Sequence, residues 1–485
     1  KIKEIYRDSV KTLLANAIGL YKESNLDQEE FFRKINSLED QTRAQKFKKI
    51  FIPLLNAYKK NLYINETIDF TDMIKKATVI LEKKDDENIL KKNEFKYLMV
   101  DEFQDVSRNR ENLIKAILNL KENIKLFAVG DDWQSIYRFS GSDISLVTEF
   151  KYRFLPHKTK INIISETHRF PKEISGLASE FIKKNPYQIS KDIVSKSTNG
   201  KISLCEIEKY STEEIKKVVD QIEKSDALEK KGVYIIYRTN QTSKKIDLNI
   251  LEAYRPDLEF KESTIHGVKG LENDVVIVLG LDGGMFGFPR IASEDQLISM
   301  FLPAHEDYMF AEERRVLYVA LTRAKEHVFL VSAPGNDSVF YEEPSIFFKE
   351  IENLCKGLFT EENKTFQKLD FVVSTPCPKC KEKRINQKMR IKTTRQSKEN
   401  LEKRVFPNVF MGCNGFTSNK ESPTFCDYTT KSAFCPNCLA RGKEETLSCR
   451  KEDSFEGTEY FVYCEKCLFK KDYFDYQKNQ EISLE

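Results

Sequence analysis

An excess of either charge is what this sequence lacks first: 79 Lys and Arg stand against 76 Asp and Glu, a formal +3 over 485 residues. So even a balance carries no global signature of a polyanion partner, and any nucleic-acid surface has to be local. Long apolar runs are missing too. No stretch approaches the roughly 18 consecutive apolar residues of a membrane span. The opening KIKEIYRDSVKTLLANAIGL has neither the unbroken apolar block nor the small-residue cleavage site of a secretory signal. These absences predict a soluble cytoplasmic protein with no membrane partner. There is no long repeat and no low-complexity tract, and 40% apolar residues can furnish the cores of roughly three domains, which excludes a disordered or fibrous chain. The sequence starts at Lys rather than Met, which suggests a processed product or a piece of a longer chain.

Cysteine is nearly absent from the first three quarters, where only Cys205 and Cys355 occur, while nine of the 11 lie between Cys377 and Cys467. Three CxxC pairs in an intracellular chain point to zinc, because reducing conditions keep thiols free and four thiolates satisfy a tetrahedral Zn2+. Two four-cysteine ribbons are expected. The first, over 376–430, uses Cys377, Cys380, Cys413 and Cys426; the second, over 431–485, uses Cys435, Cys438, Cys464 and Cys467, leaving Cys449 unassigned. A redox CxxC or a disulfide framework is the competing reading. Residues 376–450 hold 16 Lys and Arg against 7 Asp and Glu, with Phe406, Phe410, Phe416 and Tyr428 interspersed. Cations for phosphates and rings for bases are what a single-strand binder requires. The segments CPKC and FMGCN with FCDYT resemble the zinc ribbons of type IA topoisomerase tails, which implies DNA contact; the interval from Cys413 to Cys426 is looser than in that pattern.

Upstream, residues 1–92 combine helix formers with apolar residues at three- and four-residue spacing, as in IFIPLLNAYKKNL, and predict a helical subdomain. From 95 to 335, short β-branched runs alternate with helical stretches: YLMVDEF, IKLFAVGDD, INIISETHR, KGVYIIYRT, DVVIVLGL and HVFLVSAP. Such alternation describes parallel α/β layers, whose ligands gather at the carboxyl ends of the strands. Residues 336–375 are expected to form a linker with an amphipathic helix around SIFFKEIENLCKG.

The apolar run 97–100 ends in the acids Asp101 and Glu102. On a nucleoside triphosphatase a strand end of this kind has one carboxylate holding hydrated Mg2+ and the next polarising the attacking water. The following strand leads into Gly130-Asp-Asp-Trp-Gln134-Ser-Ile-Tyr137-Arg-Phe139-Ser140-Gly141, where a polar amide able to feel a γ-phosphate is followed by rings. DEFQD and VGDDWQSIYRFSG resemble motifs II and III of the superfamily 1A helicases, the UvrD/Rep family. Further matches follow in family order: ETHRF at 166–170 is similar to motif IV, YRTNQ at 237–241 to motif IVa, TIHGVKGLENDVVIV at 264–278 to motif V, and EERRVLYVALTRAKEHV at 312–328 to motif VI. GLDGGMFGFPR, the LP at 302–303 and the acidic stretch after it most resemble the helicase IV branch. The resemblance covers about residues 65–335.

It implies two RecA-like lobes, the first completed by 93–165 and the second spanning 166–335. It also implies ATP as the nucleotide and single-stranded or partly duplex DNA as the partner. Asp101 would hold Mg2+, Glu102 would act as the base, Gln134 would sense the γ-phosphate, and Arg169 and Arg323 would contact it as arginine fingers. Glu272 and Gly270 lie on the nucleotide side. His168 stands where the family usually has a Tyr stacked on adenine. Tyr137 and Phe139 would stack on the strand, and Thr264 and His266 would touch its backbone; core packing for the two rings and a satisfied loop histidine are the plainer readings. Ser140 replaces a frequent Arg. Roughly 95 residues separate motifs IV and V, so the large insertion found in several relatives is absent or vestigial, and the ribbons become the expected duplex contact.

The phosphate-cradling GxxxxGK[ST] is not found in the sequence. Either it lies in a missing N-terminal portion or partner subunit, or the motor has degenerated into a scaffold. Two functions stay open: an ATP-dependent 3′ to 5′ DNA helicase in repair or defence, whose chain hydrolyses poorly without the missing loop, and a non-catalytic nucleic-acid-binding protein.

Overall fold

The computed structural model describes residues 2–83 and 95–371, apart from 122, 156, 225–228, 240–245, 284–286, 292–293, 334–343 and 361–364, together with the backbone of five strands between 389 and 472. All eight cysteines assigned to zinc, and the aromatic and basic residues around them, fall outside the residues whose side chains are described.

Four helices open the chain: α1 Ile2–Ser24, α2 Gln28–Asn36, α3 Gln41–Ile64 and α4 Phe70–Lys83. Asp27 and Asp40 start α2 and α3 by accepting the backbone N–H of Glu30 and Arg43 at 2.7 and 2.9 Å, satisfying donors that the first turn leaves without partners. Their spacing turns Ala17, Leu20, Phe31, Ile35, Phe47 and Phe51 into one shared core. Strand β1 (Tyr97–Val100), helix α5 (Arg108–Leu118) and strand β2 (Lys125–Ala128) follow. β1 and β2 pair in parallel, Leu98 opposite Leu126 and Val100 opposite Ala128. One face of this pair packs on Phe103, Ile114 and Leu146. The other presents Tyr97, Met99 and Phe127 at 59, 73 and 61% exposure.

The run INIIS, expected as a strand, forms none; only Glu166–Thr167 (β3) pairs, with Val194–Ser195 (β4), and Ile161, Ile163 and Ile164 stay exposed. After helix α6 (Lys172–Ile182) the second layer is built from β5 (Lys201–Glu206), α7 (Thr212–Val219), β6 (Lys231–Tyr237), α8 (Leu248–Tyr254), β7 (Leu258–Thr264), β8 (Asn273–Leu279), the short α9 (Gln296–Ser299), α10 (Ala311–Leu321) and β9 (Ala324–Ser332). Helix α11 (Ile346–Leu358) and strand β10 (Phe366–Asp370) complete it. The sheet is parallel throughout, in the order β10-β5-β9-β8-β6-β7.

Two-residue alternation sends Val276, Val278, Val328 and Leu330 into one core and Val275, Ile277, Phe329 and Val331 into the other. That is why these strands read as unbroken apolar runs: both faces are covered, and each fully buried side chain contributes about 1.5–3 kcal/mol.

Within the linker expected over 336–375 the amphipathic helix is present as α11, but the described part is packed into the second layer rather than standing free. The spacing of Phe347, Phe348, Ile351 and Cys355 gives α11 one apolar face, which is fully buried in the second-lobe core. β10 then adds itself to β5, Phe366 opposite Ile202. Among the described residues, no helix is long and apolar enough to cross a membrane.

Candidate nucleotide and nucleic-acid site

The ends of β1 and β2 are fastened together by one buried amide. Gln104, wholly inaccessible, donates Nε2 to a carboxylate oxygen of Glu102 and accepts the Asp131 N–H on Oε1 at 2.8 Å. Phe103 N–H donates to Val129 O at 2.8 Å alongside. A Cβ on Gly130 would stand 2.7 Å from Gln104 Oε1, so this close approach needs glycine. Glu102 itself sits in the left-handed region at φ +48°, and its N–H donates to Asp101 Oδ1 at 2.9 Å. Both acids are exposed. Gln104 is not among the residues expected from the motif, where it stands simply as the amide of DEFQD.

The following loop crosses to the second layer. Trp133 is fully buried, meets Tyr318 edge-on at 5.4 Å and donates Nε1 to Ile189 O at 3.1 Å. Lys191 pairs with Asp131 at 2.5 Å and Asp132 at 2.6 Å. Arg315, buried, donates Nε to Ser135 O at 2.7 Å and pairs with Glu306. Between these anchors, Gln134 donates Nε2 to Asp131 Oδ2 at 2.7 Å and accepts Arg323 Nη2 on Oε1 at 3.3 Å.

Arg323 is buried to 1% exposure, its Nε donating to Val319 O and its Nη1 to Leu271 O. Burial, with the nearby charge of Arg169, lowers its guanidinium to about 10. Glu272 also acts on Arg323 and pairs with Lys325 at 3.0 Å. Gln134, Arg323, Arg169 and Glu272, drawn from four separate motifs, therefore share one neighbourhood. Gly270, at φ +84°, turns the chain just before Glu272. His168 stands apart: it is exposed and faces Glu166 at 3.4 Å.

A second cluster gathers rings. Tyr137 donates its hydroxyl to His266 O at 2.9 Å, and the rings of Tyr137, Phe139 and His266 lie 5.3 to 6.1 Å apart. Phe139 is half exposed. Burial, reinforced by Arg238, pushes His266 down to about 4, so its imidazole is neutral at neutral pH. Thr264 ends β7 and accepts the Gly267 N–H on Oγ1 at 3.2 Å. Lys269 pairs with both Asp105 oxygens at 2.6 and 2.7 Å and lies 4.8 Å over the Tyr137 ring. Lys269 thus ties the acidic turn after β1 to the loop after β7. Sequence spacing alone did not single out Lys269, Lys191 or Arg315, since each acts through a partner at least 50 positions away in the chain. Among the described residues, no group of three or more His, Cys, Asp or Glu is placed to hold a metal ion.

Residues 2–155 match the UvrD/REP helicase N-terminal domain, and residues 258–334 match the UvrD-like helicase C-terminal domain. DNA helicase IV of Escherichia coli (strain K12) is 35% identical over 294 residues, 61% of this chain and 41% of that protein. A probable DNA helicase of Mycoplasma pneumoniae is 26% identical over 314 residues, covering 63% of this chain and 56% of that one. The ATP-dependent DNA helicase PcrA of Bacillus subtilis is 28% identical over 252 residues, 48% and 34% of the two chains. The chain therefore spans between a third and three fifths of the length of these relatives. Both matched segments fall on elements that carry parts of the two clusters, and over these segments this chain is similar to the UvrD-like helicases.

Proposed function

We propose that this chain supplies most of the motor of an ATP-dependent DNA helicase or translocase that moves 3′ to 5′ along single-stranded DNA. The observation that carries this reading is the Gln134–Arg323 contact at 3.3 Å, which joins the loop after β2 to the turn between α10 and β9 of the second layer. A γ-phosphate meeting that pair would be felt by both layers at once, and Arg323 with Arg169 would neutralise charge spreading over the phosphoryl oxygens. Glu102, held by Gln104, is the base that orients water. Asp101, an exposed carboxylate at a strand end, is of the hard-oxygen kind that Mg2+ takes; the ion, when bound, screens the phosphates. Tyr137, Phe139 and His266 form the stacking surface, with Thr264 beside it. Replacing Phe139 with Ala should weaken single-strand binding by about 1–3 kcal/mol, read as oligonucleotide anisotropy, because one stacking face is lost.

The phosphate cradle is supplied by a segment outside this sequence or by a partner subunit. The bare face of β1 and β2 supports this, since parallel sheets are covered on both sides. The test is ATP turnover of the protein with that segment present, with and without single-stranded DNA. Turnover stimulated by DNA, abolished by Glu102→Gln with nucleotide binding retained, and lowered about 10^3-fold by Arg323→Ala is the expected result. The absence of GxxxxGK[ST] from the 485 residues favours a second reading, a non-catalytic nucleic-acid-binding protein; DNA binding without turnover in the extended protein would establish it.

Zinc at the two four-cysteine sets belongs to the same proposal, supported by their CxxC spacing. Cys435→Ser should release about one zinc equivalent per chain, measured by elemental analysis, with weaker DNA binding.

A further inference from the structure

Residues 294–303 belong by chain order to the second layer, between β8 and α10, yet four of their side chains are buried among the N-terminal helices. Leu297, Met300, Phe301 and Leu302 share the core of α1, α2 and α3. The Phe301 ring lies parallel to Phe31 at 6.0 Å, 3° between planes, and meets Tyr21 and Phe51 at 5.9 and 5.8 Å. Polar bonds fix the same stretch: Lys34 Nζ donates to Met300 O at 2.8 Å, Gln296 Nε2 to Glu39 Oε2 at 3.1 Å, and Arg43 pairs with Asp295.

Both ends of these ten residues hold Arg138. Its Nη1 donates to the two Glu294 oxygens at 3.0 and 2.8 Å, and its Nε donates to Pro303 O at 3.0 Å. Arg138 is buried, and its chain neighbours are Tyr137 and, one residue on, Phe139. We propose that residues 294–303 are a strap that positions the Tyr137–Phe139 ring pair relative to the helical subdomain, with Phe301 as its anchor and Glu294 as the positioning residue. The loop of 130–140 is already nailed to the second layer through Trp133 and Arg315. The strap adds the helices as a third body, so a shift of α1–α3 reaches the rings through Arg138. This link stands whether or not the rings meet nucleic acid.

Trp133, the single tryptophan of the chain, reports on that loop without labelling. Phe301→Ala should raise acrylamide quenching of Trp133 roughly twofold, because an anchor lost among the helices loosens a distant loop. Glu294→Gln should do the same, and the double variant should exceed neither single one, since both cut one link. Phe301→Leu, which keeps an apolar anchor, should behave as wild type. Trp133 quenching unchanged in Phe301→Ala, or single effects that sum in the double variant, overturns the proposal. Should Phe301→Ala fail to fold, amide exchange of Glu294→Gln decides. Exchange in α1–α3 and in 297–302 about tenfold faster supports the strap, and unchanged exchange in α1–α3 overturns it.

Discussion

His327 lies inside β9, its Nε2 2.8 Å from Ser203 Oγ and its ring stacked at 3.9 Å on Phe329. Burial first, then Lys201 and Lys231, lower it from 6.5 to about 3. The unfolded chain therefore takes up a proton that the folded chain refuses. The stability this neutral ring contributes is present above pH 6.5 and is lost as pH falls toward 3, at about 1.4 kcal/mol per pH unit. His327→Gln should flatten the dependence of the urea midpoint on pH in that window. Glu312 runs the other way. Burial raises it from 4.5 to about 7, with Arg315 and Arg138 opposing. The folded chain holds the proton longer, so stability falls as pH rises from 4.5 to 7. Glu312→Gln should melt higher than wild type at pH 8 and show no gain at pH 4.5. At this scale motif membership singled out Gln134 and Arg323, which the fold brings within 3.3 Å of each other. It was silent on Gln104, Lys269 and Arg315, because a buried amide or an ion pair is defined by a partner that only folding brings near.

At the scale of elements, two-sided burial made β6, β8 and β9 readable, since each carries a continuous apolar run, VYIIY, VVIVL and VFLV. Strand β7, LEFKEST, alternates and carries three charged residues, and β5 includes Ser203, so neither stands out as a continuous run. Residues 346–370 looked like a linker because a lone amphipathic helix has no visible destination; the sheet edge at β5 provides it. INIIS has the composition of a strand, but among the described residues it finds no strand partner. The same lack shows in the bare face of β1 and β2. The chain should bind a hydrophobic dye such as ANS, and Met99→Ser with Phe127→Ser should reduce the emission, because those two side chains are the most exposed of that face.

For the whole molecule, the α/β class and the parallel second sheet were foreseeable from alternation, while the way the parts join was not. The helical subdomain, the acidic turn and the second layer meet through Phe301, Lys269 and Trp133, three contacts between residues far apart in the chain. The strand order has a consequence for synthesis. Glu206, the end of β5, leaves the ribosome well before Ala324 opens β9, the strand it must pair with. At about 5–20 residues per second β5 waits on the order of ten seconds for its partner strand. Since β10 closes the edge beyond β5, the nascent second lobe becomes whole only after Asp370 has emerged.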